Sequence, residues 1–236
     1  MRFIESSLTY RDALILVHGF LLRGLPYRFL TTLGDIALTP DDFVFGSLPF
    51  MKRAFAKQNV QPPAPFDYFD LQDFLHRTVW PGEFGDIAWT NCPVFCKPRL
   101  EYKTFPGKLT TGPGAPGLPR LLPDHYPVWF SSPVCFRSEV RYYILGDEIV
   151  GDGRYDEDGA EEAPLPDLSV VQRAVDRMRP QGLAAYALDF GVLDTGETAL
   201  VEVSDAWSTG YYHGSLRPDM YSLWLEARYR QILCLP

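Results

Sequence analysis

Two carboxylates in the C-terminal half, Asp189 and Glu202, are spaced for joint use if the chain between them folds back on itself. Residues 183–192, the stretch Asp194-Thr195-Gly196-Glu197 and residues 199–203 read as a β-hairpin. A two-residue Thr195-Gly196 turn places Asp189 directly opposite Glu202. Opposed residues hold their Cβ atoms about 4.5–5.5 Å apart, and like charges there destabilise the hairpin unless something neutralises them. Leu188, Phe190, Val201 and Val203 flank the pair and keep water from screening it. A divalent cation is the natural neutraliser, and an all-oxygen donor set favours Mg²⁺. A surface hairpin in another register, with the two acids pointing apart, stays open as the alternative.

Cations occur upstream. The apolar run Pro93-Val-Phe-Cys ends at Lys97, and Lys103 follows six residues later. Two such ammonium groups clamp phosphate oxygens as point charges, or else simply reach solvent. Residues 101–127 hold Gly107, Gly112, Gly114 and Gly117 among prolines, which predicts a mobile loop able to close over a nucleotide. A second hairpin, residues 140–145 and 148–150 about a Gly146-Asp147 turn, places Glu139 opposite Arg154 and Arg141 opposite Asp152. Alternation puts Glu139, Arg141 and Tyr143 on one face and Val140, Tyr142 and Ile144 on the other. On periodicity alone, solvated ion pairs are the expectation for the polar face.

Other chemistries find less support. Gly112-Pro-Gly-Ala-Pro-Gly117 matches a dinucleotide-binding spacing, yet two of its residues are prolines without N–H donors and no strand and helix surround it. His18-Gly19 follows an apolar run as in an α/β-hydrolase oxyanion loop, but no G-x-S-x-G nucleophile elbow exists, so it reads as a strand end and turn. Cys92 and Cys96 have neither a second pair nor a nearby histidine, which argues against zinc. The 22 lysines and arginines against 30 acidic residues give a net charge of −8, opposite to a nucleic-acid surface. No apolar run reaches the length of a signal core or a membrane span, and the reading is a reduced, cytoplasmic, soluble protein.

The elements that must position these residues begin with an expected strand at 13–17 and a second at 43–45, followed by a helix capped by Ser47 and running to Lys57. These make a small N-terminal α/β lobe over residues 1–60. A proline-rich connector at 60–70 then leads into the second unit, residues 61–236, with a turn or two of helix at Leu71. Asp167 caps a helix ending before Pro180, and residues 219–232 form a last helix with Met220, Leu223, Trp224 and Ala227 on one face. Trp207, Tyr211, Tyr212 and His213 follow the hairpin of residues 183–203 and line either an acceptor pocket or the core.

In that order, VFCKPRLEYKTFPG, SEVRYYILGDEIVG and ALDFGVLDTGETALVEVSDAW resemble the ATP-grasp superfamily, and more narrowly its short bacterial and phage branch characterised by one arginine and two lysines. The resemblance covers about residues 43–232. It implies an α+β fold in which two subdomains with antiparallel sheets clasp ATP. It further implies that Lys97, Lys103 and Arg141 contact phosphates, supported by Glu139, and that Val134, Cys135 and Phe136 lie at the adenine hinge. Asp189 and Glu202 match the family's Mg²⁺ ligands. The family string V-N-D reads Val203-Ser204-Asp205 here, so a neutral hydroxyl replaces an asparagine carbonyl and Asp205 is the residue placed to compensate. The implied activity is ATP-dependent ligation of a small-molecule or peptide carboxylate to an amine or thiol through an acyl phosphate. A nucleotide-binding module weakened at Ser204 is the alternative, and the resemblance leaves room for a homodimer.

Overall fold

The computed structural model describes residues 1–6, 10–89, 92–112, 115–155, 163–212 and 214–234. His213, Pro113 and Gly114 therefore lie outside the described residues. The chain opens with β1 (Arg2–Glu5), α1 (Tyr10–Leu22), β2 (Tyr27–Leu30), β3 (Phe43–Phe45) and α2 (Leu48–Lys57). The three strands form a parallel sheet in the order β2-β1-β3. Parallel neighbours need a crossover, and α1 supplies the one from β1 to β2. The run at 13–17 expected as a strand is thus helical. Leu16, Gly19 and Phe20 are buried at helical spacing while Leu14 and Leu21 are exposed, and Phe3 and Ile4 hold the strand position instead. An apolar run this short does not distinguish the two by periodicity. His18 consequently lies mid-helix and exposed, not at a strand end.

Ser47 does precede α2, but its side chain makes no cap bond; its N–H donates to Glu5 Oε2 at 2.5 Å instead. The connector after α2 has no regular structure until a 3₁₀ segment at Phe69–Phe74.

A second sheet comprises β4 (Val79–Glu83), β5 (Val94–Pro98), β6 (Lys108–Thr110) and β7 (Pro127–Ser131), antiparallel in the order β4-β7-β5-β6. Residues 101–127 are therefore not one continuous loop, because β6 pairs with β5 within them.

The third sheet contains β8 (Phe136–Leu145), β9 (Glu148–Arg154), β10 (Ala185–Leu193) and β11 (Thr198–Asp205), ordered β11-β10-β8-β9 and antiparallel. The β8–β9 register matches expectation beside the Gly146-Asp147 turn and then slips by one at a bulge between Tyr143 and Ile144. Arg141 opposes Gly153, not Asp152, and Val140 rather than Glu139 opposes Arg154.

One face of this sheet, with Val140, Tyr142, Ile144, Leu188 and Phe190, packs on Val171, Ala174, Val175 and Met178 of α3 (Leu168–Met178). The other face joins Tyr143, Ala185 and Ala187 to α4 (Pro218–Ile232) and to Phe20 and Phe55 of the N-terminal lobe in a shared core. The buried side of α4 is Tyr221, Trp224, Leu225 and Tyr229, with Leu223 exposed, so the helix is turned from the expected face. Buried charges explain the turn. Glu226 takes Arg2 at 2.7 Å and Arg23 at 2.6 Å, and Arg228 takes Asp205, so both polar residues face inward with partners.

Asp167 caps α3 as read, accepting the Ser169 N–H at 2.8 Å. Replacing it by alanine is expected to cost about 1 kcal/mol of stability, measured as a lower urea midpoint with an unchanged slope.

Candidate functional site

The second and third sheets face each other across a cleft, and the charged residues singled out in the sequence meet there. Lys97, next to last in β5, extends its Nζ to 3.0 Å from Glu202 Oε1 on β11 and lies 4.8 Å from the centre of the Tyr68 ring. Burial works against that ammonium, but Tyr68 and Glu202 outweigh it and hold the Lys97 pKa above its ordinary value. Partial desolvation in the cleft opposes the charge of Glu202, while Lys97, Arg141 and Lys103 keep its carboxyl below the usual range.

On β8, Arg141 grips Asp189 of β10 with two parallel bonds, Nε to Oδ1 and Nη2 to Oδ2, each 2.7 Å. Bidentate geometry of this kind is the strong form of a charge-assisted pair. The guanidinium also sits 4.7 Å from the Tyr212 ring and 5.8 Å from that of Tyr155, and those two rings stack 4.9 Å apart. Burial would lower the Arg141 pKa, and the Asp189 carboxylate reverses this and raises it. The face expected to carry solvated ion pairs therefore holds a buried one, to the neighbouring strand rather than across the hairpin.

Asp189 stands directly opposite Glu202. The turn is not the two-residue one assumed, because Leu193 bonds Glu197 around a three-residue loop with Gly196 at φ 100°. One extra residue in β11, Val201, offsets that difference, and the predicted pair results from the two together.

An all-oxygen donor set of two carboxylates on one face suits Mg²⁺, which typically takes one or two carboxylates and completes its shell with phosphate oxygens and water. Glu202 is the accessible member, its side chain 47% exposed, whereas that of Asp189 is 3% exposed behind Arg141. Ser204 lines the same cavity as Glu202. Asp205 does not join them. It is fully buried and its carboxylate is committed to Arg228, with Nη2 at 2.6 Å and Nε at 2.9 and 3.1 Å. Its expected role as a compensating ligand is therefore corrected to a core ion pair. Among the described residues no cluster of three or more His, Cys, Asp or Glu side chains is placed to hold a metal.

Two cavities meet at this point. The first, of about 580 Å³, runs from residues 131–136 at the connection of β7 to β8, including Val134, Cys135 and Phe136, past Glu139, Arg77 and Tyr68 to Lys97 and Glu202. The second, of about 410 Å³, contains Lys103, Arg141, Ser204, Tyr211, Tyr212 and Asp12. They share Lys97, Gly107, Trp129 and Glu202 as a common wall. Lys103 enters the second cavity from a left-handed backbone, φ 55°, uncommon for a residue with a side chain. Trp207 is 3% exposed and packs edge-on against Phe55 and Tyr102, so it belongs to the core, whereas Tyr211 and Tyr212 line the cavity.

Gly107 matters to both cavities, since a Cβ there would lie 2.5 Å from Phe95 Cζ and 3.3 Å from Lys97 Cβ. Gly107→Ala is expected to cost about 1–3 kcal/mol by overpacking, measured as a lower urea midpoint.

Tyr68, Arg77, Trp129, Tyr155 and Asp12 were not anticipated. The aromatic run Tyr126-Pro-Val-Trp-Phe carries a strand signal that points to Trp129. Arg77 and Asp12 bond partners more than a hundred residues away, Leu200 and Tyr211, and nothing local marks them.

The sequence matches the ATP-grasp domain family described as R2K clade family 2 over residues 74–222, more than half of the chain. No curated protein matches. Among solved structures, D-cycloserine synthetase DcsG aligns with a TM-score of 0.62 at 12% identity, covering 98% of this chain and 99% of that one. The ATP-grasp ligase PsnB, complexed with precursor peptide PsnA2 and AMPPNP, gives 0.56 at 14% identity over 98% and 96% of the two chains. A RimK domain ATP-grasp protein from Sphaerobacter thermophilus gives 0.55 at 15%, over 96% and 100%. At these identities the likeness is one of fold. No helix among the described residues is long and apolar enough to cross a membrane.

Proposed function

The chain belongs to family 2 of the R2K clade of ATP-grasp domains, and on that premise we propose that it uses MgATP to join a carboxylate to an amine. One observation carries the reading: the first cavity and the second cavity share a wall made by Lys97 and Glu202. A nucleotide with its base at Val134, Cys135 and Phe136 then directs its terminal phosphate at the second cavity, where the acceptor sits.

The substrate carboxylate oxygen attacks the γ-phosphorus, the bond to the bridging β,γ-oxygen breaks, and ADP leaves. The amine nitrogen then attacks the acyl carbon of the resulting acyl phosphate, the carbon–oxygen bond to phosphate breaks, and the amine loses its proton. A thiol acceptor follows the same sequence. No enzyme nucleophile is needed. Lys97, Lys103 and Arg141 position the phosphoryl group and offset its negative charge, and most of the barrier reduction comes from that placement. Glu202 and Ser204, which line the second cavity, would hold Mg²⁺ with Asp189 beside them, and the ion when bound would supply further charge neutralisation at the phosphates. Asp12, on the wall of the second cavity, suits an ammonium-bearing acceptor.

The second cavity, about 410 Å³, has room for a small molecule or for one side chain of a peptide. Both classes occur in the fold, since DcsG is a synthetase of a small molecule and PsnB was crystallised with a precursor peptide. Paired carboxylates and amines screened for ADP release test the proposal, with release expected only when both are present. If MgATP fails to raise the melting temperature, the proposal falls.

Ser204, where the family string has asparagine, favours a second reading in which nucleotide binds without turnover. That reading expects binding with no ADP from any pair, and a gain in Mg²⁺ affinity on Ser204→Asn.

A further inference from the structure

The two site carboxylates share a face only because β11 carries an extra residue. From the loop upward the ladder pairs Val192 with Thr198, Gly191 with Ala199 and Phe190 with Leu200. Beyond that it pairs Asp189 with Glu202, Leu188 with Val203 and Ala187 with Ser204. Val201 is the unpaired residue between the two registers. Side chains alternate along a strand, so a one-residue slip sends every one to the opposite face. Without the bulge Glu202 would oppose Leu188 and turn into the apolar packing against α3, and Val203 would face the cleft.

A bulge breaks local ladder pairing, and β11 is an edge strand, so its outward carbonyls have no strand beside them. Arg77 meets them. Its Nη1 donates to Leu200 O at 2.6 Å and its Nη2 to Val201 O at 3.0 Å, the two carbonyls of the bulge itself. Nη1 also donates to Leu75 O at 3.3 Å, tying the guanidinium to its own segment. That segment is fixed at both sides. His76 takes a left-handed backbone, φ 48°, immediately before Arg77, and Thr78 exchanges bonds with Ser132 just past β7, 3.0 and 3.1 Å long. A planar fork with donors on both terminal nitrogens can hold two carbonyls at once, which a lysine ammonium does not reproduce.

We propose that Arg77 is a positioning residue: it holds the β11 bulge open at Val201 and thereby keeps Glu202 on the face of Asp189, facing the nucleotide. The proposal rests on the reading that those two acids serve a Mg²⁺-bound nucleotide.

Deleting Val201 separates this role from others. It makes Leu200 adjacent to Glu202, so a regular ladder would pair Asp189 with Glu202 and leave no bulge to hold. In Arg77→Met, the increase in ADP affinity that Mg²⁺ confers is expected to fall about 10- to 100-fold, as for other partners that orient metal ligands, a larger loss than any in Mg²⁺-free ADP affinity. Arg77→Lys should restore only a minor part. Arg77→Met combined with deletion of Val201 should recover the Mg²⁺ effect. Equal losses with and without Mg²⁺ would make Arg77 a nucleotide contact and overturn the proposal, as would failure of the deletion to rescue a folded double variant.

Amide hydrogen exchange over residues 187–205 reads the same device without any nucleotide. Arg77→Met should accelerate exchange there and the deletion should slow it again, whereas wild-type protection in Arg77→Met contradicts the proposal. If the wild-type protein binds no ADP, the MgATP reading fails, and the exchange experiment still decides the role of Arg77.

Discussion

Glu202→Gln is expected to abolish most of the benefit of Mg²⁺ while leaving the fold intact. Glu202 is the accessible carboxylate of the pair and it also holds the Lys97 ammonium at 3.0 Å, so its replacement removes the proposed Mg²⁺ ligand and unpairs the cation proposed to contact phosphate in one step. Removal of one preorganised charge partner of the reacting group commonly costs about 10²–10³ in turnover. ADP release should fall by that order, and calorimetry should show ADP binding that no longer strengthens when Mg²⁺ is added. Stability should change little, because half of the side chain is already exposed and the amide remains a hydrogen-bond acceptor for Lys97. A variant that keeps its full Mg²⁺ dependence would remove Glu202 from the site.

The second large effect lies outside the cleft. Arg228→Met leaves the Asp205 carboxylate fully buried without its cation, and breaking a buried pair by removing one member typically costs about 3–5 kcal/mol. The Arg228 guanidinium also donates to Gln231 Oε1 at 2.6 Å, and Gln231 in turn accepts the Ala184 N–H at 2.7 Å at the head of β10. Chemical denaturation should report a clearly lower midpoint, while the folded protein binds MgADP with wild-type affinity. The contrast with Glu202→Gln distinguishes the two acids at the end of β11. A ligand loses binding and keeps stability; a core ion pair does the reverse. Loss of MgADP affinity in Arg228→Met would return Asp205 to the metal site.

That contrast also marks how far the sequence could be read. The hairpins and α3 with its Asp167 cap were legible, because each depends on local patterns of turn residues, alternation or capping; the opposition of Asp189 and Glu202 follows from a turn one residue longer than read and the compensating extra residue at Val201, and the approach of Lys97 and Arg141 to them was implied by the family resemblance alone. Asp205 was misassigned because its partner, Arg228, lies 23 residues away on a helix whose buried side is set by ion pairs that no periodicity reveals. Arg141 was expected in solvent because its own hairpin offers Asp152; the bulge beside Tyr143 and the neighbouring strand β10 decide otherwise. The strand placed at 13–17 became α1 because Arg2–Glu5, too short and too polar at its ends to stand out, takes the centre of the parallel sheet. Local chemistry was readable; the identity of each charge's partner, decided by the third dimension, was not.

The proposed nucleotide lies between the second and third sheets with its phosphates at Lys97, Lys103, Arg141 and Glu202. A crystal structure with Mg²⁺ and a non-hydrolysable ATP analogue tests this most directly. The expected result is the base against Val134, Cys135 and Phe136, the terminal phosphate within reach of Lys97 and Arg141, and Mg²⁺ on Glu202 with Asp189 beside it. Nucleotide bound away from this cleft, or bound within it with no cation at Glu202, would contradict it.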